Sequence, residues 1–190
     1  MYPNEEKIAR ALSASSRRQI LRLVAEQELT VKEIAVQTQM SMSLASRHLQ
    51  LLSDLGFLQA RKEAHHKFYS LKGKDLKELL ETYEVVVVKV TKPDSQGTPF
   101  PEETIARALS AESRRAIIRL LAERELTVKE IASQTNLSMS LASRHLQLLS
   151  DLGFLQARKA ANHKFYSLKI KEINSLLESY KMVMATLWRI

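Results

Sequence analysis

Cysteine is absent from the 190 residues, and glycine and proline occur only four times each. The absence of cysteine excludes disulfide bonds, thiolate metal sites and sensing by thiol oxidation. The scarcity of helix-breaking residues, together with 45% hydrophobic residues, is typical of a helix-rich globular protein. This composition excludes a disordered or collagen-like chain.

Long apolar runs are also missing. No stretch of about 18 apolar residues occurs, which predicts that no helix spans a membrane. The N-terminal residues MYPNEEKIAR include no cleavable apolar segment, and we therefore expect a cytoplasmic protein. Gly-rich phosphate loops, metalloprotease motifs and Cys/His pairs are absent as well, so no enzymatic activity is expected.

The charge of the chain is unbalanced. Lys and Arg number 29 against 21 Asp and Glu, and the formal net charge is +8. An excess of this size indicates a polyanionic partner, which on composition alone is a nucleic acid, an acidic protein or an anionic membrane surface.

A segment of 64 residues occurs twice without a gap, at 8–71 and 105–168, and 54 of its positions match. Between the copies lies TKPDSQGTPFP, which contains three of the four prolines and cannot be a helix. We therefore predict two domains, 1–90 and 102–190, joined by a linker at 91–101. A recent natural duplication and an engineered fusion would give the same pattern.

Hydrophobic periodicity predicts the same elements in each copy. In the first copy, the predicted order is a helix at 5–11, a helix capped by Ser13 or Ser15, a helix at 31–38 capped by Thr30, a helix from the Ser41 cap to Gly56, short strands at 57–61 and 67–71, and a helix at 74–90. The predicted fold is mainly α with small β-hairpin wings, in two tandem winged helix-turn-helix domains.

The fourth helix of each copy contains the most specific pattern, S-x-S-x-x-S-R-H-L-x-x-L-x-x-x-G. It comprises Ser41, Ser43, Ser46, Arg47, His48, Leu49, Leu52 and Gly56, and again Ser138, Ser140, Ser143, Arg144, His145, Leu146, Leu149 and Gly153. This pattern, with the hairpin that follows, resembles the ArsR-type family of winged-helix transcription regulators. The resemblance implies that the helix enters the major groove of double-stranded DNA and that the hairpin is the wing.

The charge supports the same surface. Residues 41–72 have a net charge of +3 and residues 138–169 a net charge of +4, which together account for +7 of the total +8. Basic charge on a helix and wing is the pattern expected for phosphate contacts.

We predict DNA contacts from both copies. They come from Ser41, Met42, Ser43, Ser46, Arg47, Gln50, Arg61, Lys62, His65 and Lys67, and from Ser138, Met139, Ser140, Ser143, Arg144, Gln147, Arg158, Lys159 and Lys164. Serines at the helix start would hold a phosphate, Arg47 would pair with a guanine edge or a phosphate, and the wing would reach the minor groove or the flanking backbone. Met42 would touch thymine methyl groups or pack locally. The wings have Ala64 and Ala161 where wings of the resembled family commonly have glycine, which leaves the wing geometry open.

Metal sensing in the resembled family uses Cys on the third helix or His and carboxylates on the last. Here the third helix reads LTVKEIA and the final helices contain no His. We predict no metal site and no cofactor, and His48 is expected to pack or to contact phosphate. A small hydrophobic effector between the last helices stays open.

The last helices are strongly apolar, with four consecutive valines at 85–88 and a Met, Val, Leu and Trp pattern at 182–188. Such strips mark interfaces. They predict an intrachain pseudo-dimer through the first and last helices, with homodimerisation as the alternative. We predict a nucleoid-associated transcription repressor that reads two similar half-sites in double-stranded DNA. Two alternatives stay open, an architectural DNA-binding protein with weak sequence preference and a protein-interaction module that does not bind DNA.

Overall fold

The structure is a computed structural model that describes residues 3–90 and 102–188. The predicted linker, 91–101, lies outside the described residues. The first copy consists of α1 (Pro3–Leu12), α2 (Ser15–Glu26), β1 (Leu29–Thr30), α3 (Val31–Thr38), α4 (Met42–Asp54), β2 (Leu58–Glu63), β3 (His66–Leu71) and α5 (Lys74–Val90). The second copy consists of α6 (Glu102–Leu109), α7 (Glu112–Glu123), β4 (Leu126–Thr127), α8 (Val128–Thr135), α9 (Met139–Asp151), β5 (Leu155–Ala160), β6 (His163–Leu168) and α10 (Glu172–Trp188).

The predicted winged helix-turn-helix fold is confirmed in both copies. No helix in the described ranges has the length and apolar character needed to cross a membrane. The elements follow the predicted order, apart from a two-residue strand, β1, that the sequence did not predict.

The predicted cap of α3 is confirmed as a complete capping box. The Thr30 hydroxyl accepts from the Glu33 backbone N–H at 3.3 Å, and the Glu33 carboxylate accepts from the Thr30 backbone N–H at 2.7 Å. Two backbone N–H groups at the start of the helix are thereby satisfied. Thr127 and Glu130 repeat the arrangement with the same distances in the second copy.

The predicted cap of α2 is wrong. The N-cap residue is Ala14, which offers no side-chain hydrogen bond, and the Ser13 hydroxyl instead donates to the Arg10 carbonyl. The junction between α1 and α2 is closed by Arg18, whose buried guanidinium donates to the Leu12 carbonyl at 2.5 Å. In the second copy Arg115 donates to the Leu109 and Ser110 carbonyls at 2.6 and 2.9 Å. A long side chain from the second helix therefore satisfies carbonyls at the end of the first.

The end of α4 is fixed by Gly56, as predicted. Its φ of +83° is the left-handed conformation that glycine adopts without steric cost. Gly56 N–H donates to the Ser53 carbonyl and Phe57 N–H to the Leu52 carbonyl, each at 2.9 Å. This pair of bonds is the Schellman arrangement, and it turns the chain directly from the helix into the wing.

Each wing belongs to a three-stranded antiparallel sheet, in the order β1-β3-β2 in the first copy and β4-β6-β5 in the second. Leu29 pairs with Tyr69 on one side of β3, and Leu58 pairs with Leu71 on the other. The hairpin closes with a two-residue turn in which Ala64 has a φ of +51°, and Ala161 has a φ of +49° in the second copy. The wing turn that the sequence left open therefore forms with alanine in a conformation that favours glycine.

The core of each copy lies between the helices and the inner face of the sheet. The first-copy core includes Ile20, Leu21, Ile34, Leu49, Leu52, Phe57 and Tyr69. The same positions are buried in the second copy.

By its contacts the chain divides into two compact units whose boundaries differ from the predicted domains 1–90 and 102–190. The first unit comprises 3–81 together with the segment from Ser179 onward, and the second comprises 82–178. The difference arises because the last turns of α5 and α10 are each grouped with the winged helix of the other copy.

In the first unit, the end of α10 packs on first-copy residues. The Trp188 ring lies 6.2 Å from the Phe57 ring, and Lys7 Nζ lies 5.0 Å from the centre of the Trp188 ring. The Thr186 hydroxyl donates to the Asp75 carboxylate. In the second unit, Lys89 near the end of α5 forms an ion pair with Glu172 at 2.5 Å.

Candidate nucleic-acid interface

The two helices α4 and α9, called the reading helices below, have the same sequence, MSLASRHLQLLSD. Ala45, Leu49 and Leu52 are buried on one side of α4. The predicted DNA-contacting residues share the opposite, exposed side, which contains Ser43, Ser46, Arg47 and Gln50. Positions three and four apart lie above one another on a helix, so these side chains form one continuous outward face.

The N-terminus of the reading helix combines a cap with free donors. The Ser41 hydroxyl accepts from the Leu44 backbone N–H at 3.2 Å, which confirms the predicted cap and satisfies one backbone N–H of the first turn. Ser43 lies exposed in the same turn. Backbone N–H groups and the helix dipole at such an end favour an anion.

Gln50 is oriented by its own helix. Its side-chain nitrogen donates to the Asp54 carboxylate at 2.7 Å, and Gln147 donates to Asp151 at 2.6 Å. An amide group has two N–H donors and an acceptor oxygen, so the group stays able to meet a base edge while its position is fixed.

Met42 lies exposed rather than packed, with 51% of its surface accessible, and Met139 has 52% accessible. Met42 lines an open groove of about 640 Å³ between α3, the start of α4 and the wing, which also includes Val36 and Phe68. The corresponding groove of the second copy measures about 450 Å³. Both grooves open beside the reading helix.

His48 contacts the protein rather than pointing into solvent. Its Nε2 lies 3.0 Å from the Ser16 hydroxyl, and His145 lies 3.0 Å from the Ser113 hydroxyl. Partial burial lowers the pKa of His48, and the positive charges of Arg17 and Arg47 lower it further. The neutral form is therefore favoured, and it ties the reading helix to α2.

The wing arginine is held by acidic groups that the sequence did not point to. Arg61 forms ion pairs with Glu28 and Glu63, the latter at 2.5 Å, and its guanidinium lies 4.8 Å from the Phe68 ring. These hydrogen bonds, first from Glu63 and then from Glu28, raise the pKa of Arg61. Glu28 precedes β1 and Arg61 lies on β2, so the two side chains meet across the central strand β3. The unpredicted strand β1 pairs with β3 and thereby places Glu28 beside the sheet.

The corresponding Arg158 contacts Glu125, with Nε at 2.7 Å and Nη2 at 2.6 Å from one carboxylate oxygen. Its guanidinium lies 4.9 Å from the Phe165 ring. Both wing arginines are therefore pre-positioned and remain more than half exposed.

Each wing places two lysines opposite one another. Lys62 pairs in register with Lys67, and Lys159 with Lys164. Like charges directly opposite in a sheet repel one another, and a bound anion would relieve that repulsion. His65 is also exposed at the turn of the first wing.

Within the described parts of the chain, no group of three or more His, Asp or Glu side chains is arranged to hold a metal ion. In each copy the reading helix and the basic wing belong to the same winged helix, and Met42 at the helix start lines a groove together with Lys67 and Phe68 of the wing. Exposed basic side chains and a helix N-terminus are chemistry suited to an anion.

The chain is similar in sequence to known proteins. The model of a family described as "Bacterial regulatory protein, arsR family" matches residues 14–60 and again 111–157. The chain is 31% identical over 156 residues to the HTH-type transcriptional regulator Rv0324 of Mycobacterium tuberculosis, and the alignment covers 76% of this chain and 68% of that protein. It is 32% identical over 106 residues to the cadmium resistance transcriptional regulatory protein CadC homolog of Staphylococcus aureus, and this alignment covers 55% of this chain and 88% of that protein.

Among solved structures, the chain is similar to the homodimeric winged helix-turn-helix DNA-binding domain Mb0332 (fragment 1–100) of Mycobacterium bovis, described as a possible ArsR-family transcriptional regulator. The identity is 33%, the match covers 46% of this chain and 81% of that chain, and the TM-score is 0.44. With a repeated family match and a relative aligned over two thirds of its length, the chain belongs to the arsR family of bacterial regulatory proteins and is a DNA-binding transcription regulator.

Proposed function

We propose that this regulator is a repressor that reads two similar half-sites in double-stranded DNA, one with each reading helix. The observation that carries the proposal is the identity of the two reading surfaces. Residues 41–62 and 138–159 have the same sequence, the same caps and the same exposed polar residues. Two identical surfaces select the same bases, so the binding site should contain the same short sequence twice.

Each predicted contact has a role in this proposal. Arg47 and Arg144 pair with a guanine edge or with a phosphate, and Ser43 and Ser140 hold a phosphate at the helix N-terminus. The opposed lysines of each wing, with the wing arginine, bind the backbone beside the half-site. These roles are supported by the exposure of the side chains and by the like-charge pairs in the wings.

We also propose that the two copies pair within one chain through their first and last helices. The first unit supports this arrangement because Trp188 and Thr186 of the second copy contact Phe57 and Asp75 of the first. Light scattering should then give the mass of a single chain at micromolar concentration. A mass of two chains would instead support a homodimer with four reading helices.

Selection of bound sequences from a random pool of DNA duplexes tests the half-site proposal. We expect one motif that contains two similar half-sites, bound on the order of 10³-fold more tightly than random DNA at physiological salt. The variant Arg47→Ala with Arg144→Ala should lose that preference and retain its fold, because both side chains are exposed. Unchanged affinity and preference in this variant would contradict the role of the reading helices.

Repression is tested by transcription in vitro from a promoter that contains the selected motif. A repressor occupies the promoter, so transcript yield should fall as the protein concentration rises through its dissociation constant. A rise in yield over the same range would identify an activator.

A second candidate is an architectural protein that coats or bends DNA with weak sequence preference. It is favoured by the exposed apolar residues Met42 and Leu44 at the start of the reading helix, which cannot form hydrogen bonds to base edges. Selection would then return no motif, and affinity would grow smoothly with duplex length.

A further inference from the structure

The two copies differ in the wing, and the difference changes the charge that faces DNA. The sequence is identical from 41 to 62 and from 138 to 159, and the first wing differences follow at Glu63 against Ala160 and His65 against Asn162. We propose that Glu63 makes the two DNA-binding surfaces unequal, so that the second copy is the stronger phosphate anchor. This inference rests on the proposed binding of DNA by both wings.

The contact of Glu63 is with the wing arginine. Arg61 and Glu63 lie two residues apart on β2 and therefore project from the same face of the strand. Glu63 Oε2 lies 2.5 Å from Arg61 Nη1, while Glu28 occupies Nε of the same guanidinium. Two carboxylates thus share one guanidinium in the first wing.

The second wing has one carboxylate in the same place. Glu125 contacts Nε and Nη2 of Arg158, and Ala160 replaces the second carboxylate. The wing segment 158–164 therefore has a net charge of +3, whereas 61–67 has a net charge of +2. The fold around both arginines is otherwise the same, since each guanidinium lies over a phenylalanine ring at 4.8 or 4.9 Å.

The extra carboxylate weakens DNA binding in two ways. Glu63 competes with a phosphate oxygen for the guanidinium N–H groups, and its own charge repels the phosphate. Glu63 is exposed at the wing tip, so this repulsion meets the DNA directly. The identical reading helices contribute equally on both sides, and the wing decides which copy binds more tightly.

A second charge difference, Gln27 against Arg124, has the same sign. It lies before β1 and β4 rather than in the wing. The test therefore changes residues 63 and 160 alone and leaves 27 and 124 in place.

The first measurement uses the full chain and a fluorescein-labelled duplex of random sequence, with binding followed by fluorescence anisotropy over a range of NaCl concentrations. Glu63→Ala gives the first wing the residue that the second wing has at this position, and Ala160→Glu makes the reverse change. If Glu63→Ala gains one phosphate contact, affinity should rise about 5-fold near 0.15 M salt and the slope of log affinity against log salt should steepen by about 0.9. Ala160→Glu should produce changes of the same size in the opposite direction.

The matched control is Glu81→Ala, which removes an equal charge from exposed surface of α5. It should change affinity much less than Glu63→Ala, because its charge lies on the last helix and not on the wing. Equal effects of the two variants would show that only net charge matters, and this would overturn the inference.

The second measurement asks which copy anchors the chain. On a duplex too short to bind both copies at once, the parent protein should bind mainly through the second copy, so Arg144→Ala should weaken this binding more than Arg47→Ala. In the exchanged background, Glu63→Ala with Ala160→Glu, the order should reverse. An order that stays the same after the exchange would contradict the role of Glu63.

The two proposals fail in different ways. If Arg47→Ala with Arg144→Ala leaves DNA affinity unchanged, the proposed function is wrong. If that double variant weakens binding while Glu63→Ala matches the Glu81→Ala control, the proposed function stands and the inequality of the wings is wrong.

Discussion

The two copies are identical across the reading helix and the first half of the wing, and their ten differences lie around that surface. Four of the ten fall within α2. Two of these four are in the core, where the buried Leu21 and Val24 correspond to the buried Ile118 and Leu121. These exchanges keep the core apolar and nearly constant in volume, which is why both copies have the same fold. The wing exchange at 63 changes charge instead, so the copies differ in the charge of the wing rather than in architecture.

The largest expected effect concerns a feature that both copies share, the buried arginine between the first two helices. Arg18→Met and Arg115→Met each leave buried carbonyls without a donor, and each should lower the free energy of unfolding by about 3 kcal/mol. Urea unfolding followed by circular dichroism measures the loss. Similar losses in both variants would support the equivalence of the two junctions, and a large difference would break it.

The next prediction concerns Trp188, a second-copy residue that packs in the first unit. Trp188→Ala removes a half-buried ring from Phe57 and should lower the stability of the first unit by about 2 kcal/mol. Hydrogen exchange should accelerate around Phe57 and stay unchanged around Phe154, the corresponding residue of the second copy. Acceleration around Phe154 alone would show that α10 belongs with its own copy, as the domain boundaries 1–90 and 102–190 predict.

A smaller effect is expected at the wing turns, where the copies again agree. Ala64 and Ala161 have left-handed φ values of +51° and +49°, so glycine relieves strain at either position. Ala64→Gly and Ala161→Gly should each slow hydrogen exchange in their own hairpin, with a gain of about 1 kcal/mol or less because glycine also raises the entropy of the unfolded chain. Faster exchange in either hairpin would show that alanine at the turn is not strained.

The smallest effect is a pH dependence shared by His48 and His145. Burial and nearby arginines lower the pKa of each below the ordinary value, so the unfolded chain binds the proton more tightly than the folded one. The neutral histidines therefore contribute to folding stability above the pKa of the unfolded state, which is about 6.5. This contribution is lost as the pH falls through the lower pKa of the folded state. Replacing both residues by Gln should flatten the decline in stability between neutral pH and about pH 5. A decline as steep as in the parent protein would assign the pH dependence to other groups.

Local features were predictable from sequence because their partners lie within a few residues. Thr30 and Ser41 cap helices whose first turn follows at once, and Gly56 ends α4 through bonds to the preceding turn. The outward face of the reading helix follows from helical periodicity. Local sequence therefore predicts the helix ends and the exposed face on which most of the candidate contacts lie.

Features that depend on distant partners were missed. The contact between Glu28 and Arg61 spans 33 positions and exists only because β1 joins the sheet, and two residues are too few to show strand periodicity. At the start of α2, Ser13 and Ser15 are good capping residues by type, yet Arg18 takes over the junction through tertiary contact with α1. The apolar pattern at 182–188 predicted an interface, but no local pattern shows that Trp188 lies against Phe57.

Thr30 has two roles whose combination has a mechanical consequence. It caps α3, and it pairs in register with Phe68 on the return strand of the wing. The hairpin is therefore attached to the start of α3 by the pairing of β1 with β3, in addition to its chain connections to α4 and α5. A force applied at the wing tip would therefore reach the start of α3 through the pairing of Phe68 with Thr30, as well as reaching α4 and α5 through the chain.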